Sequence, residues 1–550
     1  MRNTPSVRAT DNRYQLLMYL AVLVNLSGLF ITILGPDGAL YASIAKTMVQ
    51  RNNYIELFGE GKEWLDKPHF PFWITALSFK AFRFTSWAYK LPAIAFLLMG
   101  ARYTWLLARD LYGEKVAWWS AIILLTAEHI ILSNNDVRAE PYLTGLIIAS
   151  VYHFYRAAYG GSYWQVVAGA LFAGCAIMTK GPFAIVPIGG AIAADLLLKR
   201  NWKQVFHWRW VVAAVLICMF ITPELYCLWY QFDAHPEKVV FGRTGVSGIK
   251  FFFWDSQFGR FMNTGPIKGK GDPSFFLHTT LWAFLPWSIL LFVAVGRKIR
   301  AGFREVAAIE WITLGGALPC FLLFSASRFQ LPHYINIIFP FFAILTAQFV
   351  LGELKPGMQR FVRVVQTVII VLLPVLAAGV HWLFRPGHTI ELMVVIVLAA
   401  GLAFYLRPVL SRGPGVLYML ARTALVAVVI NLYLNLVFYP ALLKYQSGSE
   451  AAFVANQQYP GIPVVQIGVY SYAWEFYAAA PLTTLQQLSD TSRLVQRPVV
   501  VYTPVELVSA AGWQPLKTFD HFHVSRLTFT LLNHATRSAA VEHYGLYLLR

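Results

Sequence analysis

The most informative stretch of this chain is residues 35–41, Gly35-Pro36-Asp37-Gly38-Ala39-Leu40-Tyr41, which directly follow a long apolar segment. Residues 14–34 are almost wholly apolar and long enough to cross a lipid bilayer. The turn therefore delivers the Asp37 carboxylate to the membrane surface, where a helix is predicted over 39–49. A second charged motif follows in the same loop, Trp64-Leu65-Asp66-Lys67-Pro68-His69-Phe70-Pro71-Phe72-Trp73. Two charged motifs in one loop between apolar segments predict a membrane-embedded active site.

The composition is that of a membrane protein. Of the 550 residues, 57% are hydrophobic and 13% are charged, and the mean hydropathy is +0.54. The charged fraction is about half that of a typical soluble domain, which excludes an ordinary soluble enzyme. The formal net charge of +18 does not indicate a nucleic-acid partner, because the basic residues cluster in short loops between apolar segments. The four cysteines all lie in apolar stretches and predict no disulfide framework.

The positions of lysine and arginine decide which apolar segments cross the membrane. Fourteen segments recur, near 14–34, 69–84, 88–108, 116–133, 141–155, 164–179, 182–198, 210–230, 275–296, 308–325, 332–352, 362–384, 389–406 and 416–440. Arg2, Arg8 and Arg13 place the N-terminus in the cytoplasm. If segment 69–84 stays on the outer surface, the later basic loops near 199–209, 297–304, 355–363 and 407–412 all fall inside. We therefore predict an α-helical polytopic membrane protein with about thirteen transmembrane helices and its C-terminus outside.

The chain divides into two predicted domains. Residues 1–440 form the membrane domain, with juxtamembrane helices on the outer face within about 36–87 and 232–273. Residues 441–550 form a small α/β domain on the same outer face. There, helices are predicted at 450–458 and 472–479, and strands at 464–470, 499–502 and 523–532. The polar clusters of the membrane domain fall on this face too, although the topology was derived from the basic residues alone.

The first two clusters each have a structural and a functional interpretation. Asp37 is either the N-cap of the following helix or a catalytic carboxylate at the water–lipid boundary. Asp66 and Lys67 are either a surface ion pair or, against the aromatic residues behind them, part of a buried site in which Lys67 binds phosphate.

Further charged residues recur at the outer ends of later spans. Asn134-Asn135-Asp136-Val137-Arg138-Ala139-Glu140-Pro141-Tyr142 carries more charge than a favourable interaction with the helix dipole needs. Lys180 either binds a lipid phosphate or extends to the water interface. Arg260 ends an aromatic helix predicted over 251–261, which either anchors in the interface or contacts the donor. The last cluster is Ser327-Arg328-Phe329-Gln330-Leu331-Pro332-His333-Tyr334. No His-x-x-x-His or Cys-x-x-Cys pair occurs, so no metal ligands are assigned.

The order of these motifs resembles the bacterial C-type glycosyltransferases of the protein-mannosyltransferase-like superfamily. The closest resemblance is to the 4-amino-4-deoxy-L-arabinose lipid A transferases. Shared motifs are the acidic turn before Tyr41, Asp66-Lys67-Pro68 with its aromatic residues, an acid opening a later span, Thr179-Lys180-Gly181 and Leu331-Pro332-His333-Tyr334. The resemblance covers nearly the whole chain. It implies the C-type fold, a polyprenyl-phosphate sugar donor, and an acceptor at the periplasmic face of a bacterial inner membrane.

The same resemblance assigns roles to individual residues. Asp37 corresponds to the principal carboxylate of the first loop, Asp66 and Lys67 to its Glu-Lys pair, and Glu140 to the second acid before Pro. This chain departs from the arabinose transferases at Leu40, where they have an Arg directly before the Tyr of the first motif. Their exact sugar and acceptor therefore do not follow from the motifs.

The sequence thus predicts an inverting sugar transfer to lipid A, or to another envelope lipid, glycan or protein. The predicted catalytic residues are Asp37, Glu140 and Asp66, and the predicted substrate ligands are Lys67, Tyr41, Arg260, Arg243, Lys180, Arg138, His333 and Tyr334. No cofactor is identified, a divalent metal is not required by the sequence, and a monomer in contact with membrane lipid is expected. The alternative is a lipid or sugar transporter or flippase, which predicts charges in mid-span and paired broken helices. Here the charges collect at one face.

Overall fold

The protein is predominantly helical in a computed structural model that describes residues 7–264, 268–411, 415–494, 497–509 and 512–550. Two basic residues used for the topology, Arg2 and Arg412, lie outside these ranges. The first elements are α1 (Val7–Leu26), α2 (Pro36–Gln50), the antiparallel hairpin β1 (Phe58–Gly59) and β2 (Lys62–Glu63), α3 (Phe70–Phe82), α4 (Ser86–Tyr112), α5 (Glu114–Leu125), α6 (Glu128–Ser133), α7 (Glu140–Gly160) and α8 (Tyr163–Lys180). Further helical segments are Pro182–Leu198, Trp202–Val205, Arg209–Phe220, Thr222–Leu228, Trp229–Asp233, Gly248–Lys250, Phe251–Gly259, Arg260–Met262, Phe275–Ala283, Ser288–Gly302, Ile312–Ala326, Pro332–Leu351, Pro356–Phe384, Thr389–Tyr405, Arg407–Ser411 and Leu417–Tyr445.

Several of these helices are apolar enough to cross a membrane. Within the described ranges, five are also long enough: Ser86–Tyr112, Trp202–Asp233, Pro332–Leu351, Pro356–Phe384 and Leu417–Tyr445. Shorter apolar helices are Gln15–Leu26, Pro182–Leu198, Ile312–Ala326 and Thr389–Tyr405. The count of thirteen crossings stays a prediction. Segment 69–84 forms the 13-residue helix α3, about 20 Å long and so shorter than the apolar layer of a bilayer.

The length of the first apolar segment suggested one continuous helix, but the segment is not helical throughout. Helix α1 ends at Leu26 because the next turn is tied to its neighbours. The buried ammonium group of Lys90 donates to the carbonyls of Gly28 and Ile31 at 2.9 and 2.8 Å. Gly28 also packs so closely that a Cβ there would come within 2.2 Å of the Asn135 side-chain oxygen. The chain before Asp37 is thereby held against the loop before α7.

The C-terminal region contains a five-stranded mixed sheet in the order β4-β3-β5-β7-β6. The strands are β3 (Val464–Ile467), β4 (Leu482–Leu485), β5 (Val499–Pro504), β6 (Lys517–His521) and β7 (Glu542–Leu549). Strand β3 runs parallel to β4 and β5, whereas β7 runs antiparallel to β5 and β6. Helical segments in this region are Ser447–Gln458, Tyr472–Tyr477, Leu488–Arg493, Val505–Ser509, Phe529–Leu532 and Arg537–Ala539.

The secondary structure predicted for this region is mostly confirmed. Strands β3 and β5 and the helices Ser447–Gln458 and Tyr472–Tyr477 lie where the sequence placed them. The strand predicted at 523–532 is wrong. That stretch ends in a short helix, capped by the Thr528 side chain, which accepts from the Leu531 N–H at 3.3 Å.

The C-terminal region docks directly on α2, the helix that begins beside Asp37. The ammonium group of Lys46 donates to three carbonyls at the end of the helix Tyr472–Tyr477 and just beyond it, those of Glu475, Phe476 and Ala478, at 3.0, 2.8 and 2.7 Å. The Ile33 N–H donates to the Tyr477 hydroxyl at 2.8 Å. Both sides of the turn at Asp37 are therefore anchored, one to α4 and one to the C-terminal region.

Candidate active site

One polar cavity of about 140 Å³ brings together most of the residues that the sequence singled out. Ten of the eleven predicted site residues line it: Asp37, Tyr41, Asp66, Lys67, Arg138, Glu140, Lys180, Arg260, His333 and Tyr334. The rest of the lining is Leu40, Trp64, Ala139, Phe329 and Leu331. Four basic and three acidic side chains face this small volume, so their ion pairs decide which groups remain free to act on a ligand.

The start of α2 places Asp37 without using it as a helix cap. Gly35 occupies the N-cap position with a φ of 77°, and Pro36 follows as the first helical residue, where its fixed φ suits the helix. Asp37 lies in the first turn, and its carboxylate pairs with Arg138, with 2.6 Å between Oδ2 and Nη1. The interpretation of Asp37 as the N-cap is therefore wrong.

Arg138 is held between two carboxylates. Its Nη2 lies 2.8 Å from Oδ2 of Asp136, a residue missing from the predicted set. Burial disfavours the charge of Arg138, but Asp136 and Asp37 outweigh that effect and raise its pKa. Burial also raises the pKa of Asp136. The Asp37 side chain is 42% exposed and that of Asp136 is 18% exposed, so Asp37 is the carboxylate that a substrate reaches more easily.

Asp66 joins two basic side chains through its two oxygens. Lys67 Nζ lies 2.6 Å from Oδ2, and Arg260 pairs with Oδ1. Burial disfavours the Asp66 charge, but Lys67 and Arg260 outweigh it and lower the pKa of this carboxyl. Burial also lowers the pKa of Lys67, although Asp66 opposes the shift. Two cations thus share one anion, which leaves one positive charge available to an anionic ligand.

Glu140, at the start of α7, holds Lys180, the last residue of α8. The two side chains form an ion pair, and His333 Nε2 lies 3.8 Å from the same Glu140 oxygen. Lys180 Nζ also lies 3.7 Å from the centre of the Tyr334 ring, a favourable cation–π geometry. The Glu140 side chain is buried, so it faces its basic partner more than the open volume.

An apolar groove of about 460 Å³ lies beside the polar cavity. Its wall is rich in aromatic residues, Phe183, Phe251, Phe252, Phe253, Phe258, Phe261, Phe324, Phe329 and Tyr334. Six residues line both the groove and the cavity: Asp66, Lys67, Lys180, Arg260, Phe329 and Tyr334. Three basic side chains therefore lie where an apolar volume meets a polar one.

Two residues that line the polar cavity, Trp64 and Arg260, each have a buried N–H group, Nε1 and Nε, with no hydrogen-bond partner among the described residues. An unpaired buried donor costs roughly 1–3 kcal/mol, so such groups are rare in native proteins. Trp64 lines the cavity but not the groove. Its ring packs on Gly59, where a Cβ would come within 2.8 Å of it. Packing thus fixes the indole while its N–H stays unpaired.

Arg243 is not part of this cluster. It closes a tight turn with Val240, in which each backbone N–H donates to the carbonyl of the other residue at 2.8 and 3.0 Å. Phe241 and Gly242 between them have positive φ. Arg243 is exposed and lines neither the cavity nor the groove. The geometry therefore does not support the prediction of Arg243 as a substrate ligand.

A buried carboxylate missing from the predicted set, Glu224, positions the loop of Asp66 and Lys67. One Glu224 oxygen accepts from the His69 backbone N–H at 2.9 Å, and the other lies 3.2 Å from His69 Nδ1. His69 Nε2 in turn lies 2.8 Å from the Ile55 carbonyl. The sequence did hold a signal for this residue, since Glu224 is the only acid in the apolar segment 210–230 and such carboxylates are functional suspects.

The described part of the chain shows no evident metal site. No three His, Cys, Asp or Glu side chains are grouped there so that they could hold an ion. The expectation that a divalent metal is not required stays a prediction.

Similar proteins are known by sequence. A family model described as dolichyl-phosphate-mannose-protein mannosyltransferase matches residues 66–227. An uncharacterised protein of Aquifex aeolicus is 24% identical over 319 residues. An undecaprenyl phosphate-alpha-4-amino-4-deoxy-L-arabinose arabinosyl transferase of Edwardsiella ictaluri is 26% identical over 324 residues. Both matches cover 57% of this chain, and they cover 59% and 55% of the relatives, so the chain spans little more than half of their length.

Similarity in structure extends over nearly the whole chain. The crystal structure of ArnT from Cupriavidus metallidurans bound to undecaprenyl phosphate matches with a TM-score of 0.71 and 19% identity, over 97% of both chains. The chain has the fold of the C-type glycosyltransferases. The predicted resemblance to these enzymes, and to the aminoarabinose transferases among them, is confirmed.

Proposed function

We propose that this protein is an inverting glycosyltransferase that moves a sugar from a polyprenyl-phosphate donor to a cell-envelope acceptor. The observation that carries the proposal is the position of Lys67, Lys180 and Arg260 at the junction of the apolar groove and the polar cavity. A sugar linked to a lipid phosphate has three parts in the same order: an apolar tail, an anionic phosphate and a polar head.

The donor phosphate is assigned to that junction. When the sugar leaves, the lipid phosphate gains negative charge, so preorganised cations stabilise the transition state more than a proton donor would. Lys67 and Arg260 supply the charge that Asp66 leaves uncompensated, and Arg260 also has its unpaired Nε–H. Lys180, oriented by Glu140, adds a second contact from α8.

The acceptor is assigned to the side of Asp37. Its exposed carboxylate would orient the acceptor hydroxyl and take its proton as general base. If the acceptor is a phosphate, little base strength is needed and positioning dominates. Arg138 fixes the carboxylate from behind through the 2.6 Å ion pair. Attack from this side, opposite the leaving phosphate, inverts the anomeric centre.

The similar proteins support the donor class and leave the sugar open. The Edwardsiella relative is named for undecaprenyl phosphate-linked aminoarabinose, and the Cupriavidus structure holds undecaprenyl phosphate. We propose undecaprenyl phosphate as the carrier, and as acceptor lipid A or another envelope lipid, glycan or protein. Leu40 lines the polar cavity where the arabinose transferases carry Arg, so the sugar itself is left to experiment.

Mass spectrometry of a strain that lacks the gene, against its parent, tests the proposal. We expect one envelope lipid or glycan to lose the mass of one sugar in the deletion strain, while the matching polyprenyl-phosphate sugar accumulates. The parent gene should restore the product, and a gene carrying Asp37→Asn should not. Unchanged envelope lipids and glycans in the deletion strain would contradict a transferase. Loss of the product in cells without transfer of sugar by the purified protein between the two lipid fractions would indicate a flippase.

We also propose an inner-membrane location, with the N-terminus in the cytoplasm and the C-terminal region in the periplasm. The positive-inside distribution of the basic loops supports this orientation. Alkaline phosphatase fused after residue 550 is expected to be active, and a green fluorescent protein fused there is expected to be dark. An inactive phosphatase fusion together with a fluorescent green fluorescent protein fusion would contradict the thirteen-span topology.

Trp64 provides a test of the polar cavity on the sugar side of the phosphate. Trp64→Phe keeps most of the ring packed on Gly59 and removes the unpaired N–H. Loss of one hydrogen bond to the bound sugar is expected to lower sugar transfer about tenfold, with binding of undecaprenyl phosphate unchanged. Trp105→Phe is the matched control, because Trp105 also has an unpaired buried N–H and lines neither the cavity nor the groove. Equal transfer by both variants would remove Trp64 from the site.

A further inference from the structure

A second polar cavity, of about 540 Å³, lies on another face of α2, between this helix, the β1–β2 hairpin and the C-terminal region. We name it the α2 cavity, and its polar lining includes Thr47, Arg51, Glu60, Tyr470, Glu475 and Thr484. It shares no lining residue with the polar cavity of the active site or with the apolar groove. The activity proposed above leaves this cavity without a role.

Helix α2 is the common wall of the α2 cavity and the active site. Asp37 and Tyr41 line the active-site cavity, whereas Ser43 and Thr47 line the α2 cavity. At 100° per residue, Ser43 lies about 200° around the helix from Tyr41. Thr47 lies about 15 Å along the axis from Asp37. The two cavities therefore face different sides of one short helix, at a separation that an oligosaccharide of a few units can span.

The α2 cavity presents two carboxylates whose capacity to accept hydrogen bonds is not filled within the protein. The Tyr472 hydroxyl donates to the Glu60 carboxylate, and the Tyr470 hydroxyl donates to that of Glu475 at 2.9 Å. A carboxylate accepts about four hydrogen bonds, so each retains free capacity. Burial raises the pKa of Glu475, and the neighbouring Glu60 adds to the shift, against Tyr470 and Lys46.

The basic side chains around the α2 cavity do not use up this capacity. All three N–H groups of Lys46 are donated to backbone carbonyls of the C-terminal region. The Arg51 guanidinium lies over the Phe58 ring, 4.2 Å from its centre. No ion pair to Glu60 or Glu475 is formed among the described residues. Arg51 and Gln50 also line the cavity, so a ligand that complements it donates hydrogen bonds to the two carboxylates and accepts them from these two side chains.

The backbone conformation at Glu60 also indicates a function for this side chain. Glu60 and Gly61 form the two-residue turn of the hairpin, with φ values of 58° and 70°. Such turns favour Asn or Gly at the first position, and a left-handed conformation costs other residues roughly 1–2 kcal/mol. Observed backbone strain of this kind is a reason to look for a function. Here it sets the Glu60 carboxylate at the cavity, within reach of Tyr472.

We infer that the α2 cavity binds the hydroxyl-rich part of the acceptor that does not react, a glycan that extends away from Asp37. Hydroxyl groups of sugars supply the donors that the Glu60 and Glu475 carboxylates lack, and Thr47 and Thr484 add partners that both donate and accept. The apolar side chains of Pro481 and Leu482 offer a surface for the C–H face of a sugar ring. This inference rests on the proposed glycosyl transfer and assigns its acceptor to the carbohydrates.

Two variants test the inference in the full-length protein. Thr47→Trp fills the α2 cavity from a helix position, and Glu60→Gln removes one charge while its amide oxygen can still accept from Tyr472. The matched controls are Thr483→Trp, on the strand face opposite Leu482 and Thr484, and the exposed Glu506→Gln. The acceptor probe is the envelope glycolipid fraction of the deletion strain, and the donor probe is its polyprenyl-phosphate fraction.

We expect Glu60→Gln to raise the KM for the acceptor fraction about tenfold, as loss of a charge-assisted hydrogen bond predicts. Thr47→Trp should raise it at least as much, because its side chain occupies the cavity. Their KM for the donor and their binding of undecaprenyl phosphate should match the parent, which also shows that they fold. An acceptor KM within twofold of the parent in both variants would overturn the inference and leave the transferase proposal intact. A parent protein that transfers no sugar from the donor fraction to the acceptor fraction would instead overturn the transferase proposal, and the inference with it.

Discussion

Asp37→Asn is expected to lower sugar transfer by roughly 100-fold or more, the loss typical of removing a general base. The variant keeps the shape of the side chain and removes the carboxylate. Because Asp37 does not cap α2, the change costs the helix no cap. Arg138 loses one ion pair but keeps that to Asp136 at 2.8 Å. We therefore expect normal expression and normal binding of undecaprenyl phosphate, so that the loss appears in turnover.

Asp255→Asn is the matched control for this variant. Asp255 lies in the aromatic helix Phe251–Gly259 and lines neither the polar cavity nor the apolar groove. Product is measured by mass spectrometry with purified protein and the two lipid fractions of the deletion strain. Transfer by Asp37→Asn within a few-fold of that by Asp255→Asn would show that Asp37 has no catalytic role.

The site could be predicted from the sequence to the extent that its residues stand at the ends of apolar segments. Charges such as Lys67, Glu140 and Lys180 are conspicuous there, because a charge near lipid needs a reason. Topology then places them on one face, and the structure brings them to one cavity. Arg243 stands within the loop 232–273, far from the end of an apolar segment, and a local backbone turn holds it outside the cavity.

The hydrogen-bond and ion-pair partners of the site residues were harder to predict than the positions of these residues. The sequence left Asp37 open between an N-cap and a catalytic carboxylate, and only the fold shows that Gly35 occupies the cap position and that Arg138 pairs with the Asp37 carboxylate. Glu224 acts on the site through His69, which is distant in sequence. Asp136 acts through the Arg138 guanidinium, which it shares with Asp37. The unpaired N–H of Trp64 could not be predicted at all, since an unsatisfied donor is defined by the whole surrounding structure.

The fold itself was predictable where helices are long and periodic and less so where tertiary contacts intervene. The first span ends early because Lys90 of α4 takes two of its carbonyls, a contact between distant segments. In the C-terminal region, the buried strands β3 and β5 are mostly apolar and were located correctly. The stretch 523–532 alternates in polarity, but its last residues form a short helix that Thr528 caps, so local capping overrode the pattern.

Lys67→Ala is expected to weaken the binding of undecaprenyl phosphate at least tenfold and to lower transfer by roughly 100-fold or more. The ammonium group is 2.6 Å from Asp66, so its removal leaves that carboxylate to Arg260 alone and cancels the positive charge of the cluster. Lys67→Arg should restore only part of the activity, because a planar guanidinium does not replace a compact ammonium group in the same space.

Arg260→Ala should show the same loss of donor binding, since Lys67 and Arg260 share Asp66 and both line the groove and the cavity. Two controls separate this site from general surface charge: Lys250→Ala, an exposed lysine of the same outer segment, and Arg243→Ala, which lies outside the cluster. Both controls should bind undecaprenyl phosphate as the parent does, measured on purified protein in detergent. If Lys67→Ala and Arg260→Ala also bind as the parent does, the phosphate lies elsewhere, and Lys180 is the next residue to replace. If Arg243→Ala alone loses binding, the junction of groove and cavity is not the donor site, and the geometry that carries the proposed function fails with it.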